Sequence, residues 1–303
     1  MNRRSVLAAI EGTALAALLA GFGHPSACRA GQGDELPGRL RRLTAPGTGD
    51  NRATFLPDGK TILFASKRSG KSQIWAMDRD GSHPRRLHES DGNDYGRVAP
   101  NTDGSQICFS SDRRGLNAVY VRDFASGRTA AVSDLSFWSF GPTWSSRDLI
   151  AYFSKKGGNM LNIWTVRPDG SEAHQISNLP GESRQPWWSP DGSTLAISAD
   201  RGTGLFNVWL LGSDGSDMRS ITNHGNYVQP FWSPDNKRIA VSARLHERRS
   251  RIYIMNADGS MLRPIRQSYS DDNVHPAWSP DGRSIVFTSG KDMESCLYLF
   301  DIG

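Results

Sequence analysis

Cysteine is almost missing from this chain: Cys28, Cys108 and Cys296 are the whole supply in 303 residues. No Cys-x-x-Cys or His-x-x-x-His spacing occurs, so neither a disulfide framework nor a preorganised metal cluster can be read from local sequence. Charge of one sign is equally lacking. The chain sets 36 Lys and Arg against 31 Asp and Glu. Its basic residues scatter through turns instead of forming a stripe, which excludes a nucleic-acid partner from the expectation. Beyond residue 22 no apolar run is long enough to span a bilayer. A Gly-x-Ser-x-Gly elbow is absent too, which removes the signature of an α/β-hydrolase nucleophile.

What the chain does have is regularity. Six stretches of one pattern recur, the clearest being Gln229-Pro230-Phe231-Trp232-Ser233-Pro234-Asp235-Asn236. Aligned on the turn residue they fall at Asp58, Asp103, Arg147, Asp191, Asp235 and Asp281, in steps of 45, 44, 44, 44 and 46 residues. A period this constant marks a repeat architecture. Within each unit the turn precedes an apolar run such as Ile239-Ala240-Val241, and a loop leads to a second, such as Ile252-Tyr253-Ile254-Met255. Short β-branched and aromatic runs bounded by Gly, Pro and Asp read as strands. Asp-Gly turns at Asp80, Asp169, Asp214 and Asp258 then lead to a short last strand. The predicted fold is all-β: a six-bladed β-propeller with four-stranded antiparallel blades. Phe55, Trp144, Trp188, Trp232 and Trp278 recur at one position per unit and are expected in the packing between blades. Cys108 and Cys296 fall in units two and six and are expected as buried free thiols.

The two ends need separate treatment. Asn2-Arg3-Arg4, an apolar run from Val6 to Phe22 and Ala27-Cys28-Arg29-Ala30 have the succession of a secretory signal peptide over residues 1–30. The expected location is therefore periplasmic or secreted. Cys28 follows Ser26-Ala27, but Pro25 stands where a lipoprotein signal has Leu, which argues against a lipid anchor there. Residues 31–50 read as a linker, and the propeller as a single domain over 38–303. Unit six stops after its third strand, at Leu299-Phe300-Asp301-Ile302-Gly303. Residues 39–44, Arg-Leu-Arg-Arg-Leu-Thr, have the pattern of a fourth strand and are expected to clasp the ring shut, leaving a monomer with no unpaired edge.

Candidate function lies where the template breaks. In a propeller the first strand of each blade lines the central channel, so residues at its start gather at one mouth. There the chain places Arg52, Tyr95, Arg97, Trp138, Arg184, Gln185, Tyr227, Gln229, Asp272 and His275, all of which differ from unit to unit. A repeated scaffold with a variable polar and aromatic rim is how sites are grafted onto a common fold. Trp138, with Phe137 beside it, offers a face for a sugar or a peptide side chain. The Asp-Gly-Ser turns lack the dense carboxylates that calcium requires. No cofactor and no metal site is predicted, while a divalent metal stays open.

The pattern Pro-x-Trp-Ser-Pro-Asp-Gly-x-x-Ile-x-Phe-x-Ser, followed by Ile-Tyr-x-Met-x-x-Asp-Gly-Ser, resembles the repeat of TolB-like β-propellers. His275 to Ser289 and Ile252 to Ser260 carry it almost completely. The resemblance covers residues 38–303. It implies a six-bladed ring and work in the bacterial periplasm beside an outer-membrane lipoprotein. The additional N-terminal α/β domain of TolB has no counterpart in the some 20 residues before blade one. Related propellers occur in oligogalacturonate lyases and beside the peptidase domain of prolyl-oligopeptidase-like enzymes. Two functions are carried forward. One is a non-catalytic binding or protein-interaction module at the cell envelope, whose partner is an envelope protein or a polysaccharide or oligosaccharide. The other is a carbohydrate-active lyase or hydrolase with His275 or a mouth carboxylate as base, and Arg52, Arg97 or Arg184 holding an anion.

Overall fold

The computed structural model describes residues 35–245, 248–268 and 270–302. Residues 1–30, read from sequence as a signal peptide and including Cys28, lie outside the described residues, as does His246. Six four-stranded antiparallel sheets follow one another around a ring. Five blades take their strands in chain order from inside to outside, beginning at Asn51–Phe55, Asp94–Pro100, Ser139–Trp144, Ser183–Trp188 and Asn226–Trp232. The sixth begins at Asn273–Trp278 and takes its outermost strand from the other end of the chain.

That outermost strand is Gly38–Arg42, which pairs with Cys296–Ile302 in the register Gly38 to Ile302 through Arg42 to Tyr298. The clasp runs two residues further. The Leu43 amide donates to the Leu297 carbonyl at 2.8 Å, and the Leu297 amide donates to Thr44 Oγ1 at 3.0 Å. Neighbouring blades are tied in as well: the Leu36 amide donates to the Pro264 carbonyl of blade five, and Arg41 Nη1 donates to the Asp80 carbonyl of blade one. Gly38 lies against the Phe300 ring and the Asp301 carbonyl so closely that a Cβ would not fit.

Burial alternates along each strand because successive side chains face opposite neighbours. In blade one, Ile62 and Phe64 join the cluster shared with blades five and six, while Leu63 joins the cluster shared with blade two. The template aromatics sit at these seams as expected: Trp144 between blades two and three, Trp188 between three and four, Trp232 between four and five. Cys108 and Cys296 are buried and free.

The irregular turns find local replacements. Unit three has Arg147 in place of the turn Asp, and Asp148 takes the left-handed conformation (φ 59°) that glycine holds in other blades. Its Oδ1 also accepts from Trp144 Nε1 at 2.9 Å. The late-turn glycines do more than accept positive φ. Gly81, Gly215 and Gly259 abut the backbone of Leu43, Ile176 and Ile221 in the preceding blade, where a side chain would collide.

Candidate functional site in the central channel

Each innermost strand carries a β-bulge. Pairing with the second strand skips between Asn51 and Thr54, Tyr95 and Ala99, Phe140 and Thr143, Arg184 and Trp187, Val228 and Phe231, and Val274 and Ala277. One residue in each bulge is left-handed: Arg52, Gly96, Gly141, Gln185, Gln229 and His275. For a non-glycine residue that conformation costs about 1–3 kcal/mol and persists only where the surroundings impose it. In four of the six blades the imposing contact comes from a hydroxyl of the preceding blade. The amide of Arg52 donates to Thr288 Oγ1 at 3.0 Å, Gly141 to Ser110 Oγ at 3.0 Å, Gln229 to Ser198 Oγ at 2.9 Å and His275 to Ser242 Oγ at 3.2 Å.

A bulge re-aims a side chain, and these bulges aim into the channel. Arg52, Arg97, Gln185, Gln229 and His275 line one small cavity of about 30 Å3, with Phe140, Phe153 and Trp187 among its walls. Arg97 joins this ring because blade two has one residue more in its bulge, where Gly96 takes the turn. The backbone then orients the amides. The Gln229 amide N–H donates to Gln185 Oε1 at 3.1 Å, and the His275 N–H donates to Gln229 Oε1 at 2.8 Å. Since a backbone N–H can only donate, the oxygens must face it. Both Nε2 groups are therefore spare donors.

Below the ring, Trp187 and Phe231 stack with centroids 3.9 Å apart and close the channel. The Arg97 guanidinium lies over both, at 5.0 and 5.3 Å, and the Arg52 guanidinium lies 5.3 Å from the Phe140 centroid. Arg97 is only 8% exposed, and its Nη2 has no hydrogen-bond partner among the described residues. Neither ring nitrogen of His275 has one. Burial lowers Arg52 to about 10, and burial with the nearby Arg52 charge lowers Arg97 to about 9. His275 is held well below its ordinary value, first by burial and then by the two arginines.

The carboxylates of this mouth do not answer those cations. Asp50 binds Arg68 at 2.7 Å, Asp94 binds Arg113 at 2.8 Å, and Asp272 binds Lys291 at 3.2 Å and Arg244 at 3.7 Å. All three carboxylates are buried. They form a framework around the mouth and leave Arg52 and Arg97 without an ion pair among the described residues.

The ten sequence candidates thus separate into two groups. Arg52, Arg97, Gln185, Gln229 and His275 converge. Asp272 is engaged as above, and Tyr227 is packed between blades four and five. The Tyr95 hydroxyl donates to Asp112 at 3.1 Å. Trp138 stacks on Phe140 with centroids 5.4 Å apart. Arg184 pairs with Glu182, its guanidinium 4.9 Å from the Phe206 centroid. Sequence reasoning missed Trp187, a wall of the cavity, and Phe231, which stacks on it. Their signal is size: they occupy the position before the template aromatic, where other blades have Thr54, Ala99, Thr143 and Ala277.

A larger depression of about 270 Å3 opens at the opposite mouth, lined by the ends of all six first strands, including Trp188, Trp232, Trp278 and the turn prolines. Charged residues do not line it. The smaller cavity is the better candidate because Arg97 Nη2 and both ring nitrogens of His275 have no hydrogen-bond partner among the described residues. Among the described residues, no three of His, Cys, Asp and Glu stand together to hold a metal ion, and no helix is long and apolar enough to cross a membrane.

The comparisons with known proteins agree with the architecture. Residues 35–189, 99–248 and 223–303 match the family model described as TolB beta propeller domain. The chain belongs to this family. A protein TolB homolog of Chlorobium luteolum is 31% identical over 143 residues, which are 47% of this chain and 32% of that protein. The Tol-Pal system protein TolB of Nitratidesulfovibrio vulgaris is 38% identical over 52 residues, 17% of this chain and 12% of that one. The chain thus matches about a third or less of the length of these TolB relatives. Among solved structures, a putative TolB from Agrobacterium tumefaciens superposes with a TM-score of 0.67 at 19% identity, covering 84% of this chain and 91% of that one. An oligogalacturonate lyase in complex with manganese gives 0.61 at 16% identity, covering 88% and 94%. These structural likenesses are likenesses of fold.

One consequence of the buried histidine concerns stability in acid. A His whose folded pKa lies below its unfolded value near 6.5 takes up protons only when the chain unfolds. Its contribution is whole above that value and is lost as pH falls, by up to about 1.4 kcal/mol per pH unit. His88, also lowered first by burial, adds in the same direction. The depressed turn carboxylates, such as Asp281 at about 2, add a further loss only at lower pH. Urea melts at pH 6.5 and 5.0 should therefore show reduced stability at the lower pH, with a smaller reduction in H275Q. Equal reductions in the two proteins would mean that His275 is protonated in the fold.

Proposed function

We propose that this protein is an exported, non-catalytic binding module of the cell envelope that receives its partner at the strand-start mouth of the propeller. The observation that carries the reading is the ring of Arg52, Arg97, Gln185 and Gln229: four side chains offering donors around a cavity that no carboxylate among the described residues lines. A channel built for its own stability would pair these groups, since a buried unpaired charge costs several kcal/mol. The reading includes removal of residues 1–30 on export, a linker over 31–50 and a single propeller domain over 38–303. Membership of the TolB beta propeller domain family supports an envelope role, and the partner is an envelope protein or an oligosaccharide. Trp138 and Arg184, above the ring, are its outer contacts.

A second reading has a specific observation in its favour. His275, buried beside two arginines, is neutral and has a free ring nitrogen. A bound anion would offset the two arginine charges and raise its basicity, which is the condition for a general base acting on an anionic sugar. A polysaccharide and oligosaccharide binding screen on the protein, run with product analysis and with and without a divalent metal, separates the two. Retention without new products, weakened in R184A, supports the binding module. Product formation abolished in H275A supports the enzyme.

A further inference from the structure

Ligand chemistry can be read from the inventory of the ring. Arg52 and Arg97 bring only donors. Gln185 and Gln229 have given their oxygens to backbone N–H groups of the following blades, so they too face the cavity as donors. Burial, and then those same cations, hold His275 neutral, and no carboxylate among the described residues pairs with either guanidinium. A water molecule can accept only about two hydrogen bonds, fewer than this set supplies. A cation is refused by the same charges. The donor set is matched by an acceptor that carries negative charge.

Size and shape narrow the class. The cavity is small, about 30 Å3, which favours a flat two-oxygen group over a bulkier tetrahedral dianion. Arg97 lies over Trp187 and Phe231, which fixes its plane and leaves its edge for hydrogen bonding. Guanidinium edges match carboxylate oxygens in pairs. The Trp187 and Phe231 stack forms a floor, so the rest of such a ligand must leave toward the strand-start mouth, where Trp138 and Phe140 stack.

We propose that the channel ring of Arg52, Arg97, Gln185 and Gln229 is a carboxylate-binding site that takes one carboxylate group of an anionic ligand entering from the strand-start mouth. This rests on the reading of that mouth as a binding site. The nature of the remainder of the ligand is left to the outer contacts. The arginine pair makes the difference between an acid and its neutral amide.

The test is a titration with sodium acetate and, in parallel, with acetamide, which has the same shape and no charge. Side-chain Nε–H resonances of isotope-labelled protein report on Arg52 and Arg97 directly. Acetate should give saturable shifts at millimolar concentration and bind at least tenfold more tightly than acetamide. Sodium chloride at matched ionic strength should not reproduce those shifts. R97M and R52Q should each weaken acetate at least tenfold, and R97K less than R97M. Should R97M fail to melt cooperatively, R52Q and R97K carry the comparison. Equal binding of acetate and acetamide, shifts matched by chloride, or undiminished acetate binding in R52Q would overturn the assignment. W138A and R184A separate this from the wider reading: both should keep acetate binding. Loss of the macromolecular partner in those variants with acetate retained supports both readings. A partner that still binds at the mouth of a protein blind to acetate defeats the carboxylate site alone.

Discussion

Removing residues 35–45 should cost the propeller several kcal/mol, a large part of the roughly 5–15 kcal/mol that holds a typical domain together. The segment closes blade six through a five-residue register and adds the Leu43 and Thr44 bonds to Leu297. Without it the outer edge of Cys296–Ile302 is unpaired, and Leu36, Leu40 and Leu43 leave the cluster that joins blades five, six and one. An open strand edge also templates aggregation. Denaturant melts of the shortened and full chains measure the loss directly. Equal midpoints would mean that the clasp contributes nothing to closure. G38V is a gentler version, because a side chain at Gly38 would strike Phe300 and the Asp301 carbonyl.

The ring and its closure were legible because the signal repeats. Six copies of one turn at steps of 44 to 46 residues leave few alternatives, and the missing last strand of unit six points back to residues 39–44. The late-turn glycines were legible only in part. Positive φ follows from Asp-Gly, but the close approach of Gly215 to the Ile176 carbonyl involves a different blade. The site was half legible for a related reason. Residues at the strand starts stood out against the template, yet which of them converge depends on the bulges. The extra residue at Gly96 brings Arg97 into the ring, while Arg184, beside Gln185, points to Glu182 and Phe206. Charge pairing was readable in principle. Asp50 and Arg68, or Asp94 and Arg113, are 18 and 19 residues apart in chain, from the start of one strand to the end of the next. That spacing explains why the mouth carboxylates are framework and the ring arginines are not matched.

Replacing Trp232 by Ala should cost about 3–5 kcal/mol, the range for truncating a buried aromatic in a core that relaxes only partly. Trp232 packs in the seam between blades four and five with Val208, Leu210 and Tyr253, and it is buried. Its indole nitrogen has no hydrogen-bond partner among the described residues, so the loss is one of packing. Arg184 is the contrast. It is half-exposed, and its pair with Glu182 is worth at most about 1 kcal/mol. R184A should therefore melt close to the parent protein while losing about 1–3 kcal/mol of binding to a partner seated at the strand-start mouth. W138A falls between, because its stack on Phe140 contributes about 0.5–1.5 kcal/mol beyond simple burial. Thermal and urea melts of the three variants, with partner titrations corrected for the folded fraction, make the comparison. If folded W232A loses affinity while R184A and W138A keep it, the working face is the opposite mouth, where Trp188, Trp232 and Trp278 line the larger depression.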